Sequence, residues 1–208
     1  MAATAAPRRN PRQERSKITV NAILEAAARV WAKQDFAASS TNAVAARAGV
    51  SVGSLYQYFP NKTAILRALH EQHHALLMAR MTAACRAKSH SLEAALRAII
   101  AAAADHHRSH AALVRVFDRH LPRVARAAPA GSPVFQAALR ELLLAHQAEL
   151  RIADHELALF FLRHLGRSIM HAAAEHRIAD LESGVIAQEL LSTTLALLTG
   201  RTALEPAT

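Results

Sequence analysis

The chain has 208 residues, a formal net charge of +9 and a single cysteine, and 52% of its residues are hydrophobic. A chain of this length can bury a sizeable core in one or two domains, and one cysteine excludes an intramolecular disulfide. Abundant alanine and leucine with only 6 glycines favour an all-α fold. No apolar run reaches the ~18 residues of a membrane span and no secretory signal is evident, so we expect a cytoplasmic protein.

Positive charge is concentrated in the first third of the chain. Residues 1–70 hold 10 Lys/Arg against 3 Asp/Glu, whereas residues 71–208 hold 15 against 13. A basic domain attracts the phosphate backbone of nucleic acid and releases counterions on binding. Surface charge that served only solubility would not predict this segregation.

The first fifteen residues contain two prolines and four arginines, without periodic apolar residues. This composition predicts a disordered basic arm over residues 1–15, more typical of a solvated tail than of an arm that enters a minor groove. From Lys17 to Lys33, apolar residues recur at helical spacing, which predicts an amphipathic helix with Trp31 in the core of a small domain. We expect that domain to span residues 16–70.

The segment TNAVAARAGVSVGSLYQYFPNK, which starts at Thr41, has the pattern of two short helices joined by a tight turn. A hydroxyl at its start can cap the first helix, and Gly49 suits the left-handed position that ends it. Ser51 can cap a second helix, Val52–Phe59, and Asn61 can cap a third. Such a pair forms a helix-turn-helix, whose second helix enters a major groove. The alternative is a small surface helix pair in an ordinary α-helical protein.

The motif AxxAGVSxGSLYxYFxNKxxIL resembles the DNA-binding domain of the TetR family of bacterial regulators, over about residues 18–69. The resemblance implies an N-terminal three-helix helix-turn-helix domain joined by a long helix to a C-terminal ligand-binding and dimerisation domain, residues 71–208. It implies base contacts from the residues at Val52, Gly53, Ser54 and Gln57. It implies phosphate contacts from those at Thr41, Tyr56, Tyr58 and Lys62. The chemistry agrees, because hydroxyls and an ammonium suit phosphate oxygens and a Gln amide can pair with adenine.

Apolar periodicity predicts further helices along the rest of the chain. We expect them at residues 61–87, 92–110, 111–120 with a short extension to 126, 135–152, 154–177 and 181–199. The first of these belongs to both domains and therefore connects them mechanically. Pro133 fits the first position of a helix, after a break at residues 127–133.

The last predicted helix, Leu181–Thr199, is apolar on more than one face and must therefore be covered on several sides. We expect part of this surface, including Leu190 and Leu195, to meet a second copy of the chain across a two-fold axis. The neighbouring stripe from Leu157 to Ile169 is expected to join it. The family resemblance implies the same four-helix interface between two subunits.

An effector pocket is expected among the helices from Leu92 to Ile169. Its candidate wall residues are aromatic or carry polar groups within the apolar stripes: Phe117, His120, Phe135, Phe161 and His164. Helical spacing makes the aromatic side chains ordinary core residues as well, so both interpretations stay open. The chemical nature of an effector does not follow from the sequence.

The chain has 13 histidines, with one group at His70, His73 and His74 and another at His106, His107 and His110. Spacings of three and four can place two metal ligands on one helix face. Neither group has a nearby cysteine or an HExxH pattern, and composition alone can enrich histidine, so we predict no metal and no cofactor. Without a nucleophile elbow, a P-loop or a dinucleotide fingerprint, we expect no catalytic residue and no enzyme.

These observations lead to a homodimeric DNA-binding regulator, a repressor that a small molecule releases from a palindromic operator. One alternative is a constitutive DNA-binding or architectural protein without a ligand. A weaker alternative is a histidine-rich helical metalloenzyme. Sequence-specific, salt-dependent DNA binding distinguishes the first two from the third, and loss of that binding with a ligand distinguishes the first from the second.

Overall fold

A computed structural model of the protein describes residues 11–121 and 132–200, which form helices and connecting loops without a strand. The predicted all-α fold is therefore confirmed. The chain divides into two compact units, Met1–His70 and Glu71–Thr208. The first unit holds α1 (Pro11–Trp31), α2 (Thr41–Ala48) and α3 (Val52–Tyr58), and α4 (Lys62–Arg86) begins there. The second unit holds α5 (Leu92–Ser109), α6 (Ala111–His120), α7 (Pro133–Ala145), a 3-10 turn (Gln147–Glu149), α8 (His155–His176), α9 (Ile178–Ser183) and α10 (Val185–Thr199).

The first unit is fixed by local caps as much as by its core. Ser40 caps α2 by accepting from the Ala43 amide, and Ser51 caps α3 by accepting from the Ser54 amide. Gly49 ends α2 at φ 68°, a left-handed conformation that costs glycine little. The buried Trp31 packs edge-on against Phe36 with ring centroids 4.9 Å apart. The predicted turn and caps are thus confirmed, with Ser40 rather than Thr41 as the first cap.

The described part of α1 begins at Pro11, so residues 11–15 are helical rather than part of a disordered arm. A proline is tolerated in the first turn of a helix because its missing N–H has no partner there. The remainder of the predicted arm, residues 1–10, lies outside the described residues.

The core of the second unit is built mainly from α5, α7, α8 and α10. Leu92, Leu143 and Leu198 are completely buried in it, and Met170 is almost so. Helix α8 contacts α5, α6, α7, α9 and α10, which makes it the central helix of this unit. Each fully buried side chain of this kind contributes roughly 1.5–3 kcal/mol to folding.

Two helix predictions in this unit need correction. Helix α7 ends at Ala145 instead of residue 152, and the chain continues as a 3-10 turn. The last predicted helix is interrupted by Gly184 at φ 85°, so residues before it form the separate α9. Apolar spacing runs through both breaks and therefore could not locate them. The predicted extension to residue 126 lies outside the described residues.

Among the described residues, no helix is both long enough and apolar enough to span a bilayer.

Candidate nucleic-acid interface and histidine cluster

Helix α3 has one buried side and one open side. Leu55 is completely buried, whereas Val52, Gly53, Tyr56 and Gln57 are exposed. A Cβ added at residue 53 would meet only the Ser51 hydroxyl, at 4.0 Å, so packing within the chain does not require glycine there. The open face therefore leaves room for another molecule to approach the backbone closely.

Two of the predicted phosphate-binding hydroxyls are joined to each other. The Thr41 and Tyr56 hydroxyl oxygens lie 2.9 Å apart, which links the start of α2 to the exposed side of α3. Only one of the two protons is used in this bond, so the pair keeps a hydroxyl proton for an external acceptor. Tyr58 is half-buried, and so is Ser54, which accepts a 2.9 Å hydrogen bond from the Ser51 hydroxyl.

Lys62 has a different environment from the other predicted contacts. Its Nζ donates to the carbonyl oxygens of Phe36, Ala37 and Ser39 at 2.6, 3.1 and 3.0 Å, and it lies 4.5 Å from the centroid of the Phe36 ring. Three carbonyls take all three ammonium protons. The phosphate contact predicted for Lys62 is therefore not favoured by this geometry. Instead, the side chain holds the loop before α2 against the first residue of α4.

Replacing Lys62 with methionine should destabilise the first unit. The aliphatic stem is kept but the charged hydrogen bonds are lost, so we expect the free energy of unfolding to fall by about 1.5–3 kcal/mol. Urea denaturation of the full chain measures this change, with the exposed Lys33→Met variant as control. Unchanged stability combined with a lower salt dependence of DNA binding would restore the phosphate contact instead.

The five predicted effector-pocket residues do not share one environment. Phe117 and Phe135 are buried at 3% and 5% exposure, whereas Phe161 is 36% exposed. His120 is half-buried and His164 is exposed. Helical spacing identifies these side chains as apolar or polar but cannot distinguish a core position from a cavity wall. Their role as one pocket remains a prediction that this arrangement does not favour.

Two grooves of the second unit are lined by other residues. One, of about 760 Å³, lies between α4 and the start of α7; its walls include His74, Met78, Thr82, Arg86, Ser132 and Val134. The other, of about 630 Å³, lies between α5 and α10; its walls include Glu93, Arg97, Ile100, Gln188, Ser192 and Leu195. The first has a mixed apolar and basic wall, and the second is rimmed by charged groups.

A cluster of three histidines, His73, His106 and His110, joins α4 to the C-terminal end of α5. The Nε2 atoms of His73 and His106 lie 3.0 Å apart. The His110 ring is centred 4.7 Å from that of His106 and 5.0 Å from that of His73. His110 donates from Nδ1 to the His106 carbonyl at 2.9 Å, which leaves its Nε2 with a lone pair. One ligand nitrogen from each ring lies within 4.8 Å of the other two.

Burial favours the neutral form of His106 and of its neighbour His107. Removal from water lowers the pKa of His106 to about 3, and the neighbouring His110 and His107 act in the same direction. Burial likewise lowers the pKa of His107 to about 4, although its hydrogen bond to the Ala103 carbonyl, at 2.8 Å, acts against this. Nδ1 of the fully buried His106 has no hydrogen-bond partner. An unpaired buried nitrogen of this kind lowers the free energy of unfolding by about 1–3 kcal/mol. Packing alone therefore does not explain a histidine at residue 106.

The sequence shows the two histidine groups that contribute to this cluster but does not show that they lie next to each other in the fold. His73 belonged to one histidine group and His106 with His110 to the other, and each group alone lacked a third ligand at metal-binding spacing. Only the packing of α4 beside α5 brings the rings together. The i, i+4 spacing of His106 and His110 was the one available signal.

Several large apolar side chains remain exposed on α8 and α10. Leu157, Phe160 and Phe161 are 44%, 49% and 36% exposed along α8, and Val185 at the start of α10 is 47% exposed. By contrast, Leu190 is only 3% exposed and lies in the core of its own chain. Its predicted place at a subunit interface is therefore corrected.

The comparisons with known proteins cover both units. Residues 23–69 match the family described as "Bacterial regulatory proteins, tetR family". Residues 91–198 match the domain described as "Tetracyclin repressor-like, C-terminal domain", which is more than half of the chain. A search of curated proteins gives no match.

Solved structures share the fold over most of the chain at low sequence identity. The chain is similar to SmeT, the repressor of the Stenotrophomonas maltophilia multidrug efflux pump SmeDEF, with TM-score 0.65 and 22% identity over 92% of this chain and 96% of that one. The chain is also similar to a transcriptional regulator from Cytophaga hutchinsonii, with TM-score 0.66 and 17% identity over 86% of this chain and 98% of that one. For the fatty acid degradation regulator FadR from Bacillus halodurans, the TM-score is 0.60 and the identity is 18% over 83% of this chain and 94% of that one. At these identities the likeness shows the fold.

Proposed function

We propose a ligand-released repressor function for this chain, which belongs to the TetR family of bacterial regulatory proteins. Members of this family are DNA-binding transcriptional regulators with a ligand-binding C-terminal domain, and the resemblance seen in the sequence is confirmed. Regulators of this kind are generally not enzymes, bind operator DNA and typically dimerise. For this chain we propose which residues contact the bases, that the operator is a near-palindrome, and that an effector releases the protein from the operator.

The open face of α3 is the observation that carries the DNA-reading part. Val52, Gly53 and Gln57 point away from the core, so their side chains and the bare backbone at residue 53 suit contact with base edges. The hydroxyls of Thr41 and Tyr56 suit phosphate oxygens on either side. The concentration of positive charge in residues 1–70 supplies the non-specific attraction.

The Gln57→Ala variant should bind its operator more weakly and with relaxed preference at particular bases. An amide that pairs with one base contributes about 1–3 kcal/mol of discrimination, and its loss leaves the phosphate contacts intact. Operators are first selected from a random DNA pool with the parent protein, and affinities are then measured by fluorescence anisotropy across a salt series.

The Tyr56→Phe variant is the matched control on the same helix face. It should weaken binding to all sequences similarly, since a lost hydroxyl contact to phosphate carries no base information. If Gln57→Ala retained the parent affinity and base preference, the reading face would be misassigned. If the parent selected no sequence at all, the regulator function itself would fail.

We propose that the second unit forms a homodimer through α8 and α10. A two-fold axis would place two recognition helices about 34–36 Å apart, so the selected operator should be a near-palindrome. The exposed phenylalanines of α8 support this interface, because large apolar side chains on a monomer surface commonly mark association sites.

Release is proposed to follow from a population shift. An effector that binds the second unit would favour a conformation in which the spacing of the two recognition helices of the dimer does not match successive major grooves. The relevant rival is a constitutive DNA-binding protein, which would bind the same operator irrespective of any ligand. Effectors that raise the melting temperature and lower operator affinity by linkage support release.

A further inference from the structure

We propose that the cluster of His73, His106 and His110 is a binding site for a late first-row transition-metal ion, with Zn²⁺ as the reference ion, and that this ion is the effector. The proposal rests on the ligand-released repressor function above and names the chemical class of its ligand. Nothing in the sequence pattern of either histidine group provides such a site by itself.

The donor set is the first argument. Three imidazoles converge, and imidazole nitrogen is a preferred ligand for Zn²⁺, Cu²⁺ and Ni²⁺. Two of them, His106 in the last turn of α5 and His110 at its C-cap, are four residues apart, a spacing that turns both rings to one side of the helix end. The third comes from α4, so the ion would crosslink two helices. Three protein ligands leave a fourth tetrahedral position for water or an anion.

The distances are the second argument. Zn–N bonds of about 2.0–2.1 Å in tetrahedral geometry separate ligand nitrogens by roughly 3.3 Å. The His73 and His106 Nε2 atoms, at 3.0 Å, already approach this separation. One nitrogen of each ring lies within 4.8 Å of the other two, so closing the cluster to this separation requires a movement on the order of 1.5 Å by the half-buried His110 side chain.

The orientation of His110 is the third argument. Its Nδ1–H is held by the His106 carbonyl at 2.9 Å, so the opposite nitrogen carries the lone pair. Metal-ligating histidines usually have their second nitrogen fixed in this way by a backbone carbonyl or carboxylate. The Phe117 ring, centred 5.4 Å from His73, forms an apolar wall beside the cluster.

The cost of His106 is the fourth argument. A phenylalanine or leucine would fill the same buried position without an orphaned ring nitrogen. Nε2 of His106, which faces His73, is the nitrogen that would bind the ion, so the free energy of ion binding has to offset the cost of the unpaired Nδ1.

Ion binding is connected to DNA binding through α4. This single helix carries His73 and starts at Lys62, whose ammonium holds the loop before α2. A crosslink between α4 and α5 would restrict the movement of α4. We expect Zn²⁺ to favour the conformation that does not fit the operator, and operator DNA to weaken Zn²⁺ binding by the same factor.

The experiment uses full-length protein freed of metal by chelation, titrated with Zn²⁺ by calorimetry and with Co²⁺ by visible absorption. We expect one ion per chain and the intense visible bands of tetrahedral Co²⁺. The variants His73→Gln and His110→Gln alter half-buried positions and should each lower ion affinity at least about 10-fold. The control His107→Gln removes a buried histidine of the same helix whose Nδ1 is bound to Ala103, and ion affinity should persist.

Each outcome has a defined meaning. The site would be overturned if the parent bound no ion, or if the parent, His73→Gln and His110→Gln all bound the ion with equal affinity. Binding at the triad with no change in operator affinity would overturn the effector role and leave the site. Operator binding by the metal-free parent is a separate measurement, so failure of the metal proposal is distinguishable from failure of the regulator function. A folded, operator-binding His110→Gln variant that no longer responds to Zn²⁺ is the result expected.

Discussion

Replacing Leu190 with aspartate should unfold the second unit of the protein rather than separate two subunits. Leu190 is 3% exposed and belongs to the same buried core as Leu181, Leu191 and Leu198. Loss of the leucine costs about 2–5 kcal/mol, and an unpaired buried carboxylate adds several more. A domain is stable by only about 5–15 kcal/mol, so the variant should have no cooperative melting transition at ordinary temperatures.

Circular dichroism and thermal melting of the purified variant test this expectation. Leu190→Met preserves volume and polarity and should cost less than about 1.5 kcal/mol. Gln188→Asp places the same charge on the same helix at an exposed position and should leave the melting temperature nearly unchanged. A soluble Leu190→Asp monomer with native helicity would instead return Leu190 to the subunit interface.

The different fates of two predictions show what a sequence can specify. The helix-turn-helix was readable because its signals are local: Ser51 caps the helix that it precedes, and Gly49 ends the helix that it follows. Leu190 was misplaced because apolar periodicity identifies a side chain that needs cover without identifying what covers it. In the structure α5, α8 and α9 contact α10, and that cover is provided within the chain.

Long-range juxtaposition accounts for the other differences. The sequence predicts a phosphate contact for Lys62 and gives no sign of its backbone acceptors, because one of them, the Phe36 carbonyl, lies 26 residues earlier in the chain. The histidine cluster was missed for the same reason, since His73 and His106 are 33 residues apart. Both interactions depend on where a preceding helix packs, which local propensity does not determine.

The phenylalanines exposed on α8 have no cover among the described residues of their own chain that would explain an apolar surface there. Phe160 packs its ring against the His164 ring at 4.4 Å and still remains 49% exposed. Together with Leu157 and Phe161 it forms an apolar stripe on a helix whose other side is buried. Phe161, which the sequence predicts as a pocket wall, fits this surface better than a cavity. We propose the stripe as the centre of the dimer interface.

Replacing Phe160 with aspartate should therefore give a folded monomer with almost no operator affinity. The charge would be desolvated and unpaired at the centre of an association surface, yet fully hydrated in the monomer, so only association should suffer. Two linked heads bind a palindrome with an avidity about 10²–10⁴ above that of one head, and this factor should be lost. Sedimentation velocity and fluorescence anisotropy on the selected operator measure the two effects. Leu144→Asp, at 47% exposure on α7, is the matched control and should remain a dimer with parental affinity. A dimeric Phe160→Asp variant that binds DNA as well as this control would place the interface on another surface.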